Sequence, residues 1–186
     1  MKQAVIALSL LSSLFLFSHE HQEQKKALRI YLCSRLTQNT RAWNDLICEE
    51  LYFDDEIDLF RPQDVDLSHL TAFEKDYAAY YADLEGIQHS DLLLVLPPYG
   101  RDCAWEIGWF CGAKKVTLAY IESVEEWLRD AMVMGGISAI ITNNENSYQL
   151  LLENPLTSYK SYLIDSRQSL AQKIKELYHN HGQTKN

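Results

Sequence analysis

The stretch that decides the fold runs Asp91-Leu-Leu-Leu-Val-Leu-Pro-Pro-Tyr-Gly-Arg-Asp-Cys-Ala-Trp-Glu-Ile-Gly-Trp109. Leu92 to Leu96 is too short for a core helix and carries no alternating polar residue, so it reads as a strand covered on both faces, as in a parallel sheet. Pro97 and Pro98 stop the strand, Gly100 allows a sharp turn, and Ala104, Trp105, Ile107 and Gly108 begin a helix that carries Asp102 and Glu106 near its start. Open α/β sheets bind ligands at such strand-to-helix junctions, so a carboxylate here is a candidate for chemistry.

Working outward, Leu28, Ile30 and Leu32 alternate with Arg29, Tyr31 and Cys33, which marks a first strand ending near Ser34, with Tyr31 placed toward its end. Trp43, Leu46, Ile47 and Leu51 recur at helical spacing over about 40–52 and are expected on one buried face. A short strand over 57–60 follows. A tyrosine-rich helix over about 68–88 is then expected to bury Leu70, Phe73, Tyr77, Tyr80, Leu84 and Ile87, with stacking of Tyr77, Tyr80 and Tyr81 on a planar ligand as the alternative.

Beyond the opening stretch, Gly112 is placed to end a helix, and Val116 to Ile121 reads as a strand. Ser123-Val-Glu-Glu126 matches a capping box that opens a helix through about Met134, closed by Gly135-Gly136. Ile137 to Thr142 reads as the last strand, and 166–179 as a terminal helix with Leu170, Ile174 and Leu177 on one face. Strands and helices alternate, so the expected class is α/β: a doubly wound, Rossmann-like or flavodoxin-like parallel sheet of about five strands.

The 186 residues, 47% hydrophobic and 23% charged, fit one domain with a sizeable core. A net charge of −9 argues against a nucleic-acid polymer as partner and for a small ligand. Cys33, Cys48, Cys103 and Cys111 form no CxxC pair, so they read as free thiols in or near the core and suggest neither a zinc site nor a disulfide framework. His69, His89, His179 and His181 give no constellation. Nucleophile-elbow, P-loop, dinucleotide and zinc-protease patterns are all missing.

The N-terminus divides off as residues 1–26: an apolar segment from Ala4 to Phe17 and a polar linker, ahead of a domain over 27–186. The apolar segment is short for a membrane span and has the length of a signal-peptide core, with a poor cleavage site. An export signal, a weak membrane or packing helix, and an upstream extension all stay open. The rest of the chain favours a cytoplasmic protein over a membrane-associated one.

Ile30-Tyr31-Leu32, then Asp83-Leu-Glu-Gly-Ile87 with Ser90-Asp91 and the apolar strand, then Glu106-Ile-Gly-Trp109 and Lys114-Lys115-Val116 resemble the nucleoside 2-deoxyribosyltransferase family over roughly 28–141. The resemblance implies an enzyme that cleaves or transfers the N-glycosidic bond of a nucleoside or nucleotide, without metal or organic cofactor, as a homo-oligomer. It assigns Glu106 as the nucleophile at C1 of the sugar, Tyr31 as the residue that orients it, and Asp83 as the acid that exchanges a proton with the base. Gly100, Arg101, Asp102 and Asp130 fall at positions implied to bind substrate. Many family members carry an aspartate where Gly100 stands, and Arg101 beside Asp102 fits a phosphate-bearing ligand, so nucleoside 5′-monophosphate hydrolysis is an alternative. A nucleotide-binding module without turnover is another. The resemblance also implies that some sites are completed by a neighbouring subunit near Asp130, where an amide is the usual residue.

Overall fold

The computed structural model describes residues 26–124 and 130–183. Six strands form one parallel sheet: β1 (Leu28–Ser34), β2 (Ile57–Phe60), β3 (Leu92–Leu96), β4 (Val116–Ile121), β5 (Ala139–Thr142) and β6 (Ser161–Leu163), in the order β2-β1-β3-β4-β5-β6. The sheet exceeds the expected five strands by β6, a three-residue strand whose Ser-Tyr-Leu sequence is too short to show a period. The helices are α1 (Gln38–Tyr52), α2 (Ala72–His89), α3 (Arg101–Gly112), α4 (Ala131–Gly136), α5 (Glu145–Glu153) and α6 (Leu170–Gln183).

Successive strand residues point to opposite faces, and both faces are covered. Ile30, Leu32, Leu94 and Leu118 pack under Ile47 and Leu51 of α1 and Leu170, Ile174 and Leu177 of α6. Tyr31, Cys33, Leu93 and Val95 pack on the other side with Ile87 of α2, Ile107 and Phe110 of α3, Val133 of α4 and Leu151 of α5. The alternation in β1 thus separates two cores rather than core from solvent.

Three sequence expectations change. Tyr31 lies in mid-strand, paired with Phe60 and Leu93, and β1 continues to Ser34. Leu46 is exposed, because the buried side of α1 runs through Thr40, Asn44, Ile47, Cys48 and Leu51. The largest change is α2, whose Phe73 (87%), Tyr77 (65%), Tyr80 and Tyr81 are exposed, while Gly86 and Ile87 near its C-terminal end are its buried residues. This helix starts at Ala72 because Thr71 and Glu74 form a capping box, the Thr71 N–H donating to Glu74 Oε2 at 3.0 Å. Its other end is held by Lys115, whose Nζ donates to the carbonyls of Gln88 at 2.9 Å and Ser90 at 2.6 Å.

The remaining bounds shift little. The helix after β3 does include Gly112, and the left-handed residue that follows is Lys114, with φ 56°. The capping box expected at Ser123–Glu126 lies partly outside the described residues. α4 instead begins at Ala131 with Asp130 as its cap, the Asp130 carboxylate accepting from the Val133 N–H at 3.1 Å. The expected apolar segment from Ala4 to Phe17, whether export signal, membrane or packing helix, or upstream extension, lies outside the described residues. Among the described residues no helix is long and apolar enough to cross a membrane.

Gly86 connects this packing to the cleft. A Cβ there would meet the Phe60 ring at 2.5 Å, and that ring stacks on Tyr31 at 5.4 Å with an 18° interplanar angle. Gly86→Ala should gain about 1 kcal/mol of helix propensity and lose about 1–3 kcal/mol to overpacking, for a net loss of stability in urea denaturation. An increase in stability would show that the Phe60 ring yields freely.

Candidate active site

The strand order reverses between β1 and β3: β1 is followed by α1 and then by β2 on one side, while β3 continues to β4 on the other. The carboxyl ends of the two strands therefore diverge into separate loops, leaving the crevice where open α/β sheets take ligands. A cleft of about 880 Å³ opens there, lined by Ser34 and Arg35 after β1, by Tyr99 to Ala104 and Glu106 after β3, and by Asp83 of α2 and Asp130. The two loops are tied together by the Arg35 N–H, which donates to the Pro98 carbonyl at 3.2 Å. Thr40 holds the first loop from the other side through its hydroxyl on the Arg35 carbonyl. A smaller cavity of 320 Å³ borders the opposite strand ends, where Lys175 is paired with Asp54 and Glu56.

Glu106 is the exception on an apolar stripe. Cys103, Ile107 and Phe110 follow helical spacing and are buried, and Glu106 among them is 8% exposed. Glutamate is almost never this buried unless paired. Its partner is Tyr31, fully buried in the neighbouring strand, whose Oη donates to Glu106 Oε1 at 2.9 Å. Phe60 on one side and Phe110 at 6.3 Å fix the phenol ring in place.

Burial pushes the Glu106 carboxyl above its ordinary range, and the nearby Asp102 charge pushes the same way; the Tyr31 hydroxyl, which donates to Oε1, and the Cys33 thiol close by oppose the rise without cancelling it. Tyr31 itself is pushed well up, first by burial and then by the Glu106 charge, so it stays a neutral donor. Asp83, half-buried on the α2 side of the cleft, is raised to about 6 by burial and by the charges of Glu106 and Asp102. Both carboxylates are thus raised, Glu106 against the opposing Tyr31 donor and Asp83 to about 6.

The other sequence candidates line the same cleft. Gly100 is the N-cap of α3 and offers no side chain to its N–H groups, while Arg101 and Asp102 are exposed at the rim. Asp130, whose segment the resemblance connects to a neighbouring subunit, reaches the cleft of its own chain. Sequence reading did not single out Arg35, Tyr99, Cys33 or Cys103. Arg35 directly follows the strand that ends at the switch point, which was a usable signal. The Tyr99 phenol is pushed up to about 12 by burial and by the Asp130 carboxylate beside it. The two cysteines lie 70 residues apart, and no local spacing joins them, yet the Cys33 thiol donates to the Cys103 carbonyl at 3.8 Å. Among the described residues, Cys33, Cys103 and Glu106 bring ligand atoms within 4.8 Å of one another.

No protein-family model and no curated protein matches the sequence. Solved structures similar to the chain include a 2-deoxyribosyltransferase from the psychrotolerant bacterium Bacillus psychrosaccharolyticus, at 20% identity and TM-score 0.49 over 60% of this chain and 84% of that one. A conserved protein from Enterococcus faecalis V583 gives 21% identity and TM-score 0.49 over 81% and 98%. A CMP N-glycosidase of Clostridium botulinum gives 16% identity and TM-score 0.35 over 80% and 98%.

Proposed function

We propose that this protein is a nucleoside 2-deoxyribosyltransferase-like enzyme that cleaves or transfers the N-glycosidic bond of a nucleoside or nucleotide through Glu106. The observation that carries the reading is the buried Glu106 carboxylate held by the Tyr31 hydroxyl at 2.9 Å, on the floor of the cleft at the β1/β3 switch point. A carboxylate suits this chemistry because its charge stabilises an oxocarbenium-like centre before a covalent bond forms. Burial strips it of water and raises its proton affinity, and the Tyr31 hydroxyl, an uncharged donor, works against that rise.

The steps follow from these positions. Glu106 attacks the anomeric carbon, the bond from that carbon to the base nitrogen breaks, and Asp83 protonates the departing base. A water or a second base then attacks the anomeric carbon, the bond to Glu106 breaks, and the incoming group gives a proton to Asp83, replacing the one that left with the first base. Tyr31 works through Glu106: its neutral phenol fixes the carboxylate in place and gains strength as a donor whenever Glu106 carries full charge.

The rim favours a 5′-phosphate. Arg35 and Arg101 lie on the two loops that line the cleft, and the first turn of α3 borders it behind a glycine cap that offers its N–H groups no side chain. Arginine pairs and free helix N-termini both hold phosphate, so hydrolysis of nucleoside 5′-monophosphates is the second reading. Self-association belongs to the same proposal, because the aromatic face of α2 leaves Phe73 and Tyr77 largely in water.

Incubation with deoxynucleosides and with nucleoside 5′-monophosphates, followed by chromatography for free base, tests the function; a nucleotide that binds but releases no base favours a sensing module. Glu106→Gln should lower base release on the order of a thousandfold or more without unfolding the chain, and full activity in this variant would sink the reading. Tyr31→Phe removes one hydrogen bond to a charged group, about 1.5–3 kcal/mol, and should slow base release about 10- to 100-fold. Asp83 acts in its protonated form, so the rate should fall as pH rises through about 6, and fall again in acid as Glu106 takes up a proton. In Asp83→Asn the alkaline limb should vanish along with most of the rate. Arg35→Ala and Arg101→Ala should raise KM for monophosphates and leave that for nucleosides unchanged; equal effects on both would remove the phosphate reading.

A further inference from the structure

We propose that Cys33, Cys103 and Glu106 form a site for a thiophilic divalent cation, of the Zn²⁺ type, on the floor of the cleft, and that the bound cation silences Glu106 by ligating it. The inhibitory half rests on the reading of Glu106 as nucleophile, whereas the cation site does not.

The three ligand atoms come from two elements. Cys33 projects from β1, and Cys103 and Glu106 stand one helical turn apart on α3, so the helix places them side by side facing the strand. All three are buried, and their ligand atoms lie within 4.8 Å of one another. With metal–sulfur bonds of about 2.3 Å and metal–oxygen bonds of about 2.0–2.2 Å, a tetrahedral site needs ligand atoms roughly 3.5–3.8 Å apart. A closure of about 1 Å therefore completes the set.

The donor set selects the ion. Two sulfurs favour zinc-like cations over the oxygen-seeking magnesium and calcium. Three protein ligands leave a fourth coordination position, as in zinc sites that keep a place for water or substrate, and two of the three, Cys103 and Glu106, line the cleft. Tyr31 already supplies the outer hydrogen bond that ligating carboxylates commonly have. Asp83 and Asp102 at the same cleft add negative field, which attracts a cation. Binding releases the two thiol protons to solvent and leaves every oxidation state unchanged.

The test uses the full chain, stripped by chelator, kept reduced and titrated with Cd²⁺. A cadmium–thiolate charge-transfer band in the ultraviolet should saturate at one ion per chain and disappear on adding Zn²⁺. It should be absent from the Cys33→Ser/Cys103→Ser double variant and persist in Cys48→Ser/Cys111→Ser. Glu106→Gln keeps both thiols and should weaken Cd²⁺ binding about tenfold or more; unchanged affinity there overturns the site even if the double variant does not fold. No band in the wild type, or a band surviving loss of Cys33 and Cys103, also overturns it. So does a pair of thiols that ignores Cd²⁺ but closes to a disulfide with diamide. Zn²⁺ should stop base release and chelator should restore it, and release undiminished by bound Zn²⁺ removes the inhibitory half. A chain that binds Cd²⁺ at these cysteines yet releases no base from any nucleoside or nucleotide, chelated or not, overturns the nucleophile reading and keeps the site.

Discussion

A carboxylate taken out of water keeps its charge only through the hydrogen bonds it accepts, and the arrangement around Glu106 follows from that requirement. Its donor is Tyr31, an uncharged phenol in the middle of β1 whose ring is stacked on Phe60. The consequence reaches back through the fold. Phe60 occupies its place because residue 86 has no side chain, so the approach of α2 to the sheet and the charge of Glu106 depend on the same few atoms.

The same logic explains why the two acids of the cleft differ. Asp83 is half-buried, and burial first, then the charges of Glu106 and Asp102, raise it to about 6. Glu106 is more deeply buried but has Tyr31 and Cys33 to oppose the rise. Two ordinary carboxylates of one cleft are thus separated by what surrounds them rather than by what they are.

Much of the fold was legible in the chain because the inner strands of a parallel sheet leave an unmistakable trace. Leu92–Leu96 has no polar residue and Val116–Ile121 is buried at every position, Thr117 included, a pattern that a strand covered on both faces tolerates. Glu106 was legible for a related reason, since it breaks an apolar helical stripe just after a strand that ends in prolines. Failures came where periodicity carries no such meaning. The aromatic spacing in α2 looks like a core stripe, yet the helix touches the sheet chiefly at its C-terminal end, and its aromatics face solvent. β6 is too short to have a period, and the meeting of Cys33 with Cys103 arises from the β1–β3 neighbourhood, which a linear reading cannot measure.

The edges of the sheet have a bearing on how copies of this chain meet. Its outer strands, β2 and β6, are four and three residues long, against seven for β1. A foreign strand laid along either side finds only a few free backbone groups, too few to hold it, so ribbon-like growth by strand addition is blunted at both margins. The margins thus discourage indiscriminate strand pairing, and the exposed aromatics of α2 belong to a helix rather than to an edge strand.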